Sequence, residues 1–378
     1  RFINKEDLLK KILINSDPWQ TRVAVIDGVR LRDLALGTPE KPELERSFFK
    51  GRILKVLPGI QTAFVDIGQA RSGFLHVTEV DRAMASDRIF ESQDSGDEKP
   101  TKKEVVEAMD IGKIFTEGDS VLVQVTKEPV FEKGAKLTTC FTLPGKFVVL
   151  MPNIGQMGIS KKIEDRDERS RLREIVENYL TEGMGAIVRT TAEGRPAKDI
   201  ERDLKLLIST WTTISKKFAR AEPGEKVYQD VPVDLCMVRE HLDDETELVL
   251  CDNQSTVDAT RDFVKQFMPE HVSKVRLYEG DNLLFEEFGI ENQIIELTSR
   301  KVHLKSGGTL IIESTEAMTV VDVNTGRFVG KTNQEETIFK TNLEAAEEVV
   351  RQLRLRNIGG LIVIDFIDMR HVSNRQKL

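Results

Sequence analysis

Apolar and polar residues alternate with period two around Asp27-Gly28 in residues 22–34 (RVAVIDGVRLRDL), which predicts two strands joined by a tight hairpin turn. Short strands continue through 48–57 (FFKGRILKVL), 62–68 (TAFVDIG), 72–77 (SGFLHV) and 120–126 (SVLVQVT), punctuated by Gly and Pro. Strands this short and closely spaced predict a small antiparallel barrel, and an OB-fold is the natural candidate. Between them the mixed-charge stretch 91–104 (ESQDSGDEKPTKKE) reads as a solvated, mobile insertion.

The period changes to that of a helix at 164–180, where Leu172, Ile175, Val176 and Leu180 form one stripe, and at 198–219, where Ile200, Leu204, Leu207 and Trp211 do so. With the strand at 184–190 (MGAIVRT), residues 140–220 read as one compact α/β unit. Residues 231–299 alternate predicted strands (VPVDLCMV, TELVLCD, VRLYEG) with helical segments such as 255–268, a second α/β unit.

The last segment is the most informative. Residues 304–314 (LKSGGTLIIES) predict a hairpin turning at Gly307-Gly308. Residues 316–326 (EAMTVVDVNTG) form a strand ending in Asp322, Asn324 and Gly326. A helix follows, with Thr341 and Glu344 at capping-box spacing, Leu343, Ala346, Val350 and Leu353 on one face, and Gly359-Gly360 as its stop. The run 361–367 (LIVIDFI) is continuously apolar apart from Asp365, the pattern of a strand covered on both faces. Strand, crossover helix and strand put Asp322 and Asp365 near the carboxyl ends of two parallel neighbours, where ligand sites of open α/β sheets gather. Two close carboxylates repel, and a divalent cation relieves the repulsion. Magnesium suits them, because it takes one or two carboxylates together with water and substrate phosphate. The competing reading makes both aspartates turn caps or partners of Arg327 or Arg370. Asp66, just ahead of Gly68, reads as a turn residue, and Asp368 is the weaker metal candidate.

Composition narrows the chemistry. Of 378 residues, 39% are hydrophobic, enough for two or three domains, and 55 basic against 63 acidic residues give a net charge of −8. That balance does not suggest a nucleic-acid binder in bulk, but bulk charge says little about one groove. No run approaches the ~18 apolar residues of a membrane helix, and the first residues (RFINKEDLLKK) lack a signal-peptide pattern. Cys140, Cys236 and Cys251 form no Cys-x-x-Cys pair and read as reduced thiols; His76, His241, His271, His303 and His371 have no ligand spacing. Nucleophile elbow, phosphate-binding glycine loop, zinc helix and dinucleotide fingerprint are all missing, leaving metal-assisted phosphodiester hydrolysis or no catalysis.

The stretches STEAMTVVDVNTG, TNLEAAEEVVRQLRLRNIGGLIVIDFIDM, TAFVDIG and IVRT closely resemble the bacterial ribonuclease E/G family, in order over about residues 22–369. The resemblance implies an α/β and α+β multidomain fold. Its parts are an RNase H-like domain split between 1–43 and 235–297, an OB-fold RNA-binding domain at 44–139, a 5′-sensor domain at 140–234 and a DNase I-like catalytic domain from 298 to 378. It implies that Asp322 and Asp365 hold catalytic Mg2+ and that Asn324 supports the site. Phe64, Phe74 and Lys133 would contact RNA, and Gly145, Val149, Arg189 and Thr190 would line a 5′-monophosphate pocket. Taken alone, the phenylalanines would read as barrel core, Gly145 as a turn glycine after Pro144, and Arg189 as either a phosphate fork or a surface partner of Glu193.

The insertion at about 83–112 is longer than the family leads one to expect. The family's cysteine zinc link and dimerisation segment are expected beyond Leu378, so zinc and homo-oligomer formation are not assigned to this chain. The expected function is magnesium-dependent endonucleolytic hydrolysis of single-stranded RNA, leaving 5′-phosphate and 3′-hydroxyl ends, in mRNA decay and in rRNA and tRNA processing. The expected setting is the bacterial cytoplasm, with a plastid as the alternative, and other RNA-processing proteins are possible partners. Three rivals stand beside it: a non-catalytic RNA-binding protein of the same fold, a metal phosphoesterase acting on DNA or small phosphates, and a scaffold for other RNA-processing proteins.

Overall fold

The computed structural model describes residues 9–38, 43–92, 110–129, 133–325 and 334–378. Two compact units emerge. One gathers the N-terminal residues to Leu36, His241–Ala259 and Ser273–Leu378; the other comprises Gly37–Glu240 and Thr260–Val272.

The first unit holds two sheets. In one, β1 (Lys10–Ser16) runs antiparallel to β2 (Thr21–Asp27) and parallel to β14 (Thr246–Cys251), with β3 (Arg30–Gly37) and β15 (Val275–Leu277) at the edges. The predicted hairpin is present, with its tight turn at Gly28-Val29, one residue on from Asp27-Gly28, and Gly28 takes a positive φ of 61°. Ile12, Leu13, Ile14, Val23, Ala24, Val25 and Ile26 are consecutively buried, so the central strands are covered on both faces.

The other sheet has the order β16 (Lys301–His303), β17 (Thr309–Ser314), β18 (Met318–Asn324), β19 (Leu361–Asp365). A 22-residue helix, Gln334–Leu355, joins the last two strands and packs Ala345 and Val349 against Leu310, Ile312, Val321 and Val323. The hairpin at Gly307-Gly308 is as predicted. The capping box is not: Thr341 lies buried within the helix, and the Glu344 carboxylate accepts the amides of Lys305 and Ser306 instead. Nor do the two glycines stop the helix. Asn357 does, with φ 51°, its neighbour Ile358 donating back to the Leu353 carbonyl at 2.9 Å.

The second unit contains the predicted barrel. Strands β4 (Phe48–Leu57), β5 (Thr62–Asp66), β6 (Gly73–His76), β8 (Lys136–Thr138) and β7 (Ser120–Lys127) pair in that order, and β7 returns to β4 to close it. Strand β13 (Lys226–Tyr228) adds to β4. Ile53, Ala63, Val65, Leu75, Val121, Val123, Val125 and Leu137 fill the interior. The insertion expected at 83–112 falls largely on residues 93–109, outside the described residues; it is flanked by helices Arg82–Ser92 and Ile111–Ile114.

The same unit holds a four-stranded sheet, β11 (Met157–Ile159), β12 (Gly185–Val188), β10 (Val148–Met151), β9 (Leu143–Pro144), with helices Arg166–Glu177 and Ala197–Arg220. Leu172, Val176, Ile200, Leu204 and Leu207 are buried, as their stripes predicted. Trp211 joins Phe48, Phe141 and Tyr228 in an aromatic cluster, with Trp211 and Phe141 centroids 5.5 Å apart. One element differs in kind. The predicted strand at 231–238 is a helix, Val233–His241. Its V-x-V-x-L alternation imitates a strand, but Asp234 in the first turn favours a helix start.

A carboxylate pair and two RNA-facing candidates

Strands β18 and β19 are parallel and in register, Val320 beside Val363 and Asp322 beside Asp365. Directly neighbouring strands lie about 4.8 Å apart, so the two carboxylates leave the backbone side by side and on the same face. Asn324, two residues on and therefore on that face too, donates from Nδ2 to Asp322 Oδ2 at 2.8 Å. The opposite face carries Val321, Val323 and Ile364 into the helix. The face bearing the aspartates is open: Asp322, Asn324 and Asp365 are exposed, as are Met318, Leu361 and Val363.

That exposure corrects the expectation of a strand covered on both faces. Leu361 is 59% and Val363 44% exposed, so β19 is an edge strand with one naked face, and burial is not what makes Asp365 unusual. Its placement against Asp322 is. No described cation pairs with either carboxylate; Arg370 instead offers its backbone amide to Glu335, and Arg327 lies outside the described residues. Two oxygen donors side by side, open to solvent and steadied by an amide, fit a magnesium ion that keeps several waters. Among the described residues no group of three or more His, Cys, Asp or Glu is arranged to hold a metal, and the three cysteines are free. Asp66 is a turn residue, as expected, accepting the Gly68 amide at 2.8 Å.

On the barrel, Phe64 and Phe74 are cross-strand partners in β5 and β6. They alternate with the buried Ala63, Val65 and Leu75, so both point outward and are half-buried rather than part of the core. Lys133 is exposed, next to Gly134, whose backbone abuts Ser72 just before β6. The sheet register adds two residues that sequence reading missed. Lys55 of β4 lies opposite Phe64, and Lys136 of β8 beside Phe74, giving a row Lys55–Phe64–Phe74–Lys136 across four strands. Lys55 is exposed, and Lys136 pairs with Glu79. A register bulge between Ile53 and Lys55 sets this alignment, and no periodicity in the sequence announces a bulge.

In the four-stranded sheet, Val149 of β10 pairs with Ile187 of β12, and Arg189 and Thr190 follow β12 directly. Arg189 Nη1 donates to the Gly145 carbonyl at 2.9 Å, which brings the two ends of this candidate pocket together; Thr190 is exposed. Packing also requires glycine at position 145. A Cβ there would stand 2.4 Å from Asp203 Oδ2. Asp203 is buried and accepts the amides of Lys146, Phe147 and Val148 at 3.1, 2.8 and 3.1 Å. Burial pushes its carboxyl upward while those three amides pull it down, and burial prevails.

Arg189 does not pair with Glu193. Its partner is Glu240, bound through both carboxylate oxygens, Nη1 to Oε1 at 3.1 Å and Nη2 to Oε2. Burial acts to raise the Glu240 carboxyl, but Arg189, Arg239 and Arg46 outweigh it and hold the group below the usual range. Arg239 in turn makes a two-pronged contact with Asp230, 2.9 Å on each side. Arg239 and Glu240 lie in the last turn of the helix Val233–His241, just past the stretch 231–238 read from sequence as a strand.

The chain is similar to known proteins over most of its length. Residues 142–378 match the model of the ribonuclease E/G family. The chain is 39% identical to ribonuclease G of Escherichia coli K12 over 97% of its own length and 73% of that protein. It is 37% identical to ribonuclease G of Haemophilus influenzae, with the same coverage. To ribonuclease E of Escherichia coli K12 it is 39% identical, over 97% of this chain and 34% of that longer protein.

Proposed function

The chain belongs to the ribonuclease E/G family, and on that premise we propose that it is a magnesium-dependent endoribonuclease that cuts single-stranded RNA, leaving 5′-phosphate and 3′-hydroxyl ends. The observation that carries this reading is the in-register pair Asp322 and Asp365 on the open face of neighbouring parallel strands. Each supplies a carboxylate ligand, and Asn324 fixes the orientation of Asp322 through its 2.8 Å hydrogen bond. Asp322 and Asp365 would hold a magnesium ion there, and the ion would supply a more acidic coordinated water and neutralise charge on the scissile phosphate.

The barrel row holds the strand. Phe64 and Phe74 offer ring faces to unstacked bases, and Lys133, Lys55 and Lys136 meet phosphates on either side. Gly145, Val149, Arg189 and Thr190 form a pocket that favours a 5′-monophosphate. We assign residues 1–43 and 235–297 to a split RNase H-like domain, a reading supported by the sheet in which β1 and β14 are parallel neighbours. Residues 44–139 then form the OB-fold, 140–234 the 5′-sensor and 298–378 the catalytic domain. The relatives are bacterial, which favours a bacterial cytoplasm; among the described residues no helix is long and apolar enough to cross a membrane.

The decisive experiment is cleavage of a short unstructured RNA by Asp365→Asn with magnesium present. Turnover should fall by about 10²-fold or more, as for loss of a charge-stabilising group, while RNA affinity stays within about twofold. Wild-type turnover by this variant would remove the assignment, and equal cleavage of a DNA oligomer would favour the phosphoesterase alternative.

A further inference from the structure

Glu240 belongs to none of the roles above, yet it binds Arg189 of the candidate pocket through both carboxylate oxygens. Arginine has five N–H donors in a rigid planar fork. In Arg189 three are used: Nη1 gives one to the Gly145 carbonyl at 2.9 Å and one to Glu240 Oε1 at 3.1 Å, and Nη2 gives one to Glu240 Oε2. The carboxylate thus takes the end of the fork. The hydrogens left over are Nε–H and the second on Nη2, which lie parallel along the side edge of the guanidinium. Nε makes no hydrogen bond among the described residues, and the side chain is 27% exposed. Glu240 is itself held, with Arg239 Nε 3.8 Å from Oε1 and Arg239 anchored on Asp230 at 2.9 Å. A chain of alternating charges, Asp230, Arg239, Glu240 and Arg189, therefore ends in one unspent two-donor edge.

We infer that Glu240 is a positioning residue for the 5′-phosphate sensor: it clamps the end of the Arg189 fork so that the side edge is presented to a terminal phosphate monoester. The inference rests on the proposed sensor role of Arg189. Without the clamp an arginine must order its rotamers when the phosphate arrives; with it, that ordering is already done. A side-on fork of two parallel N–H donors matches two phosphate oxygens. The exposed Thr190 follows Arg189 directly in the chain.

The alternative for the same contact is competition, in which Glu240 occupies Arg189 and the phosphate must displace it. The two make opposite predictions. The test compares kcat/KM for one RNA oligomer carrying either a 5′-monophosphate or a 5′-hydroxyl, using wild type, Arg189→Ala, Glu240→Ala, Glu240→Gln and the double alanine variant. If Glu240 positions Arg189, Glu240→Ala lowers the phosphate-to-hydroxyl ratio at least about threefold, mainly through a higher KM for the phosphorylated RNA. The double variant then matches Arg189→Ala, because both changes act through one group. Glu240→Gln keeps the shape and one acceptor oxygen, so it folds even if the alanine variant does not, and its ratio falls in between. A ratio that rises in either Glu240 variant overturns positioning in favour of competition. A ratio that stays at the wild-type value, with both substrates slowed alike, overturns it in favour of a purely structural ion pair. Should Arg189→Ala itself leave the ratio unchanged, the sensor reading fails first, and that failure is visible independently of any Glu240 variant.

Discussion

At the scale of single residues, the outward pair on the barrel separates binding from folding. A phenylalanine in a short strand is more often core than surface, and Phe49 of this chain, 1% exposed, is that ordinary case. Phe64 and Phe74 sit on the other parity of β5 and β6, outside the cluster formed by Ala63, Val65 and Leu75. Truncating either should therefore affect RNA far more than stability. Base–aromatic stacking contributes about 1–3 kcal/mol per base, so Phe64→Ala should weaken binding of a single-stranded RNA about five- to hundredfold by fluorescence anisotropy. Its melting temperature should move by only a few degrees, because little interior is vacated. A variant that melts much earlier yet binds RNA normally would return Phe64 to the core.

At the scale of elements, the hinge of the proposed chemistry is how β19 is delivered to β18. The in-register pairing at Asp322 and Asp365 is backed by Asn342, a fully buried residue of the crossover helix. Its side chain accepts the Ile367 amide at 3.1 Å and donates to the Ile367 carbonyl at 2.9 Å, locking the chain two residues past Asp365. Asn342→Ala leaves both backbone groups without that partner, at about 1–3 kcal/mol for a buried unsatisfied group, and loosens the strand end that carries Asp365. We expect a lower urea midpoint together with an apparent magnesium requirement shifted to higher concentration. A variant with a lowered midpoint but an unchanged magnesium titration would show that Asn342 serves stability alone. This element also marks what the sequence could reveal. Strand–helix–strand with an aspartate near the end of each strand was readable, because parity and apolar runs are local. Which face those aspartates share with solvent was not, since LIVID reads identically whether one or both faces are covered. The helix at Val233–His241 was hidden for a related reason: over eight residues an apolar alternation fits either period, and only packing decides. Lys55, Lys136 and Glu240 were invisible because their partners lie far away in the chain, brought close by register or by a helix the pattern disguised.

At the scale of the whole molecule, the net charge of −8 is organised rather than spread. Several half-buried carboxylates are held below their ordinary range by hydrogen bonds and neighbouring charges against the opposing effect of burial: Asp33 by its hydrogen bond with His241, Asp230 by Arg239, Glu240 by Arg189, and Glu348 by Gln352, Arg351 and Arg30. A carboxyl with a depressed folded pKa stabilises the protein above the unfolded value of about 4 and loses that contribution as pH falls through the folded value. Asp203, Asp234 and Glu43, raised mainly by burial, act in the opposite sense and soften the loss. The Asp230–Arg239 pair is the sharpest case, since both side chains are 8% exposed and the contact is two-pronged at 2.9 Å. Asp230→Asn strands a buried guanidinium, a loss of about 3–5 kcal/mol, at every pH where Asp230 is ionised in the wild type. Urea unfolding of the two proteins should therefore differ most near pH 7. The gap should narrow below about pH 4, where protonation deprives the wild type of the same interaction. Because the molecule has two compact units, unfolding should be followed with a probe in the one containing this pair, for which Trp211 serves. A gap that stays constant from pH 7 to pH 3 would mean that Asp230 contributes shape and hydrogen bonds, not charge, to the network from which Glu240 and Arg189 project.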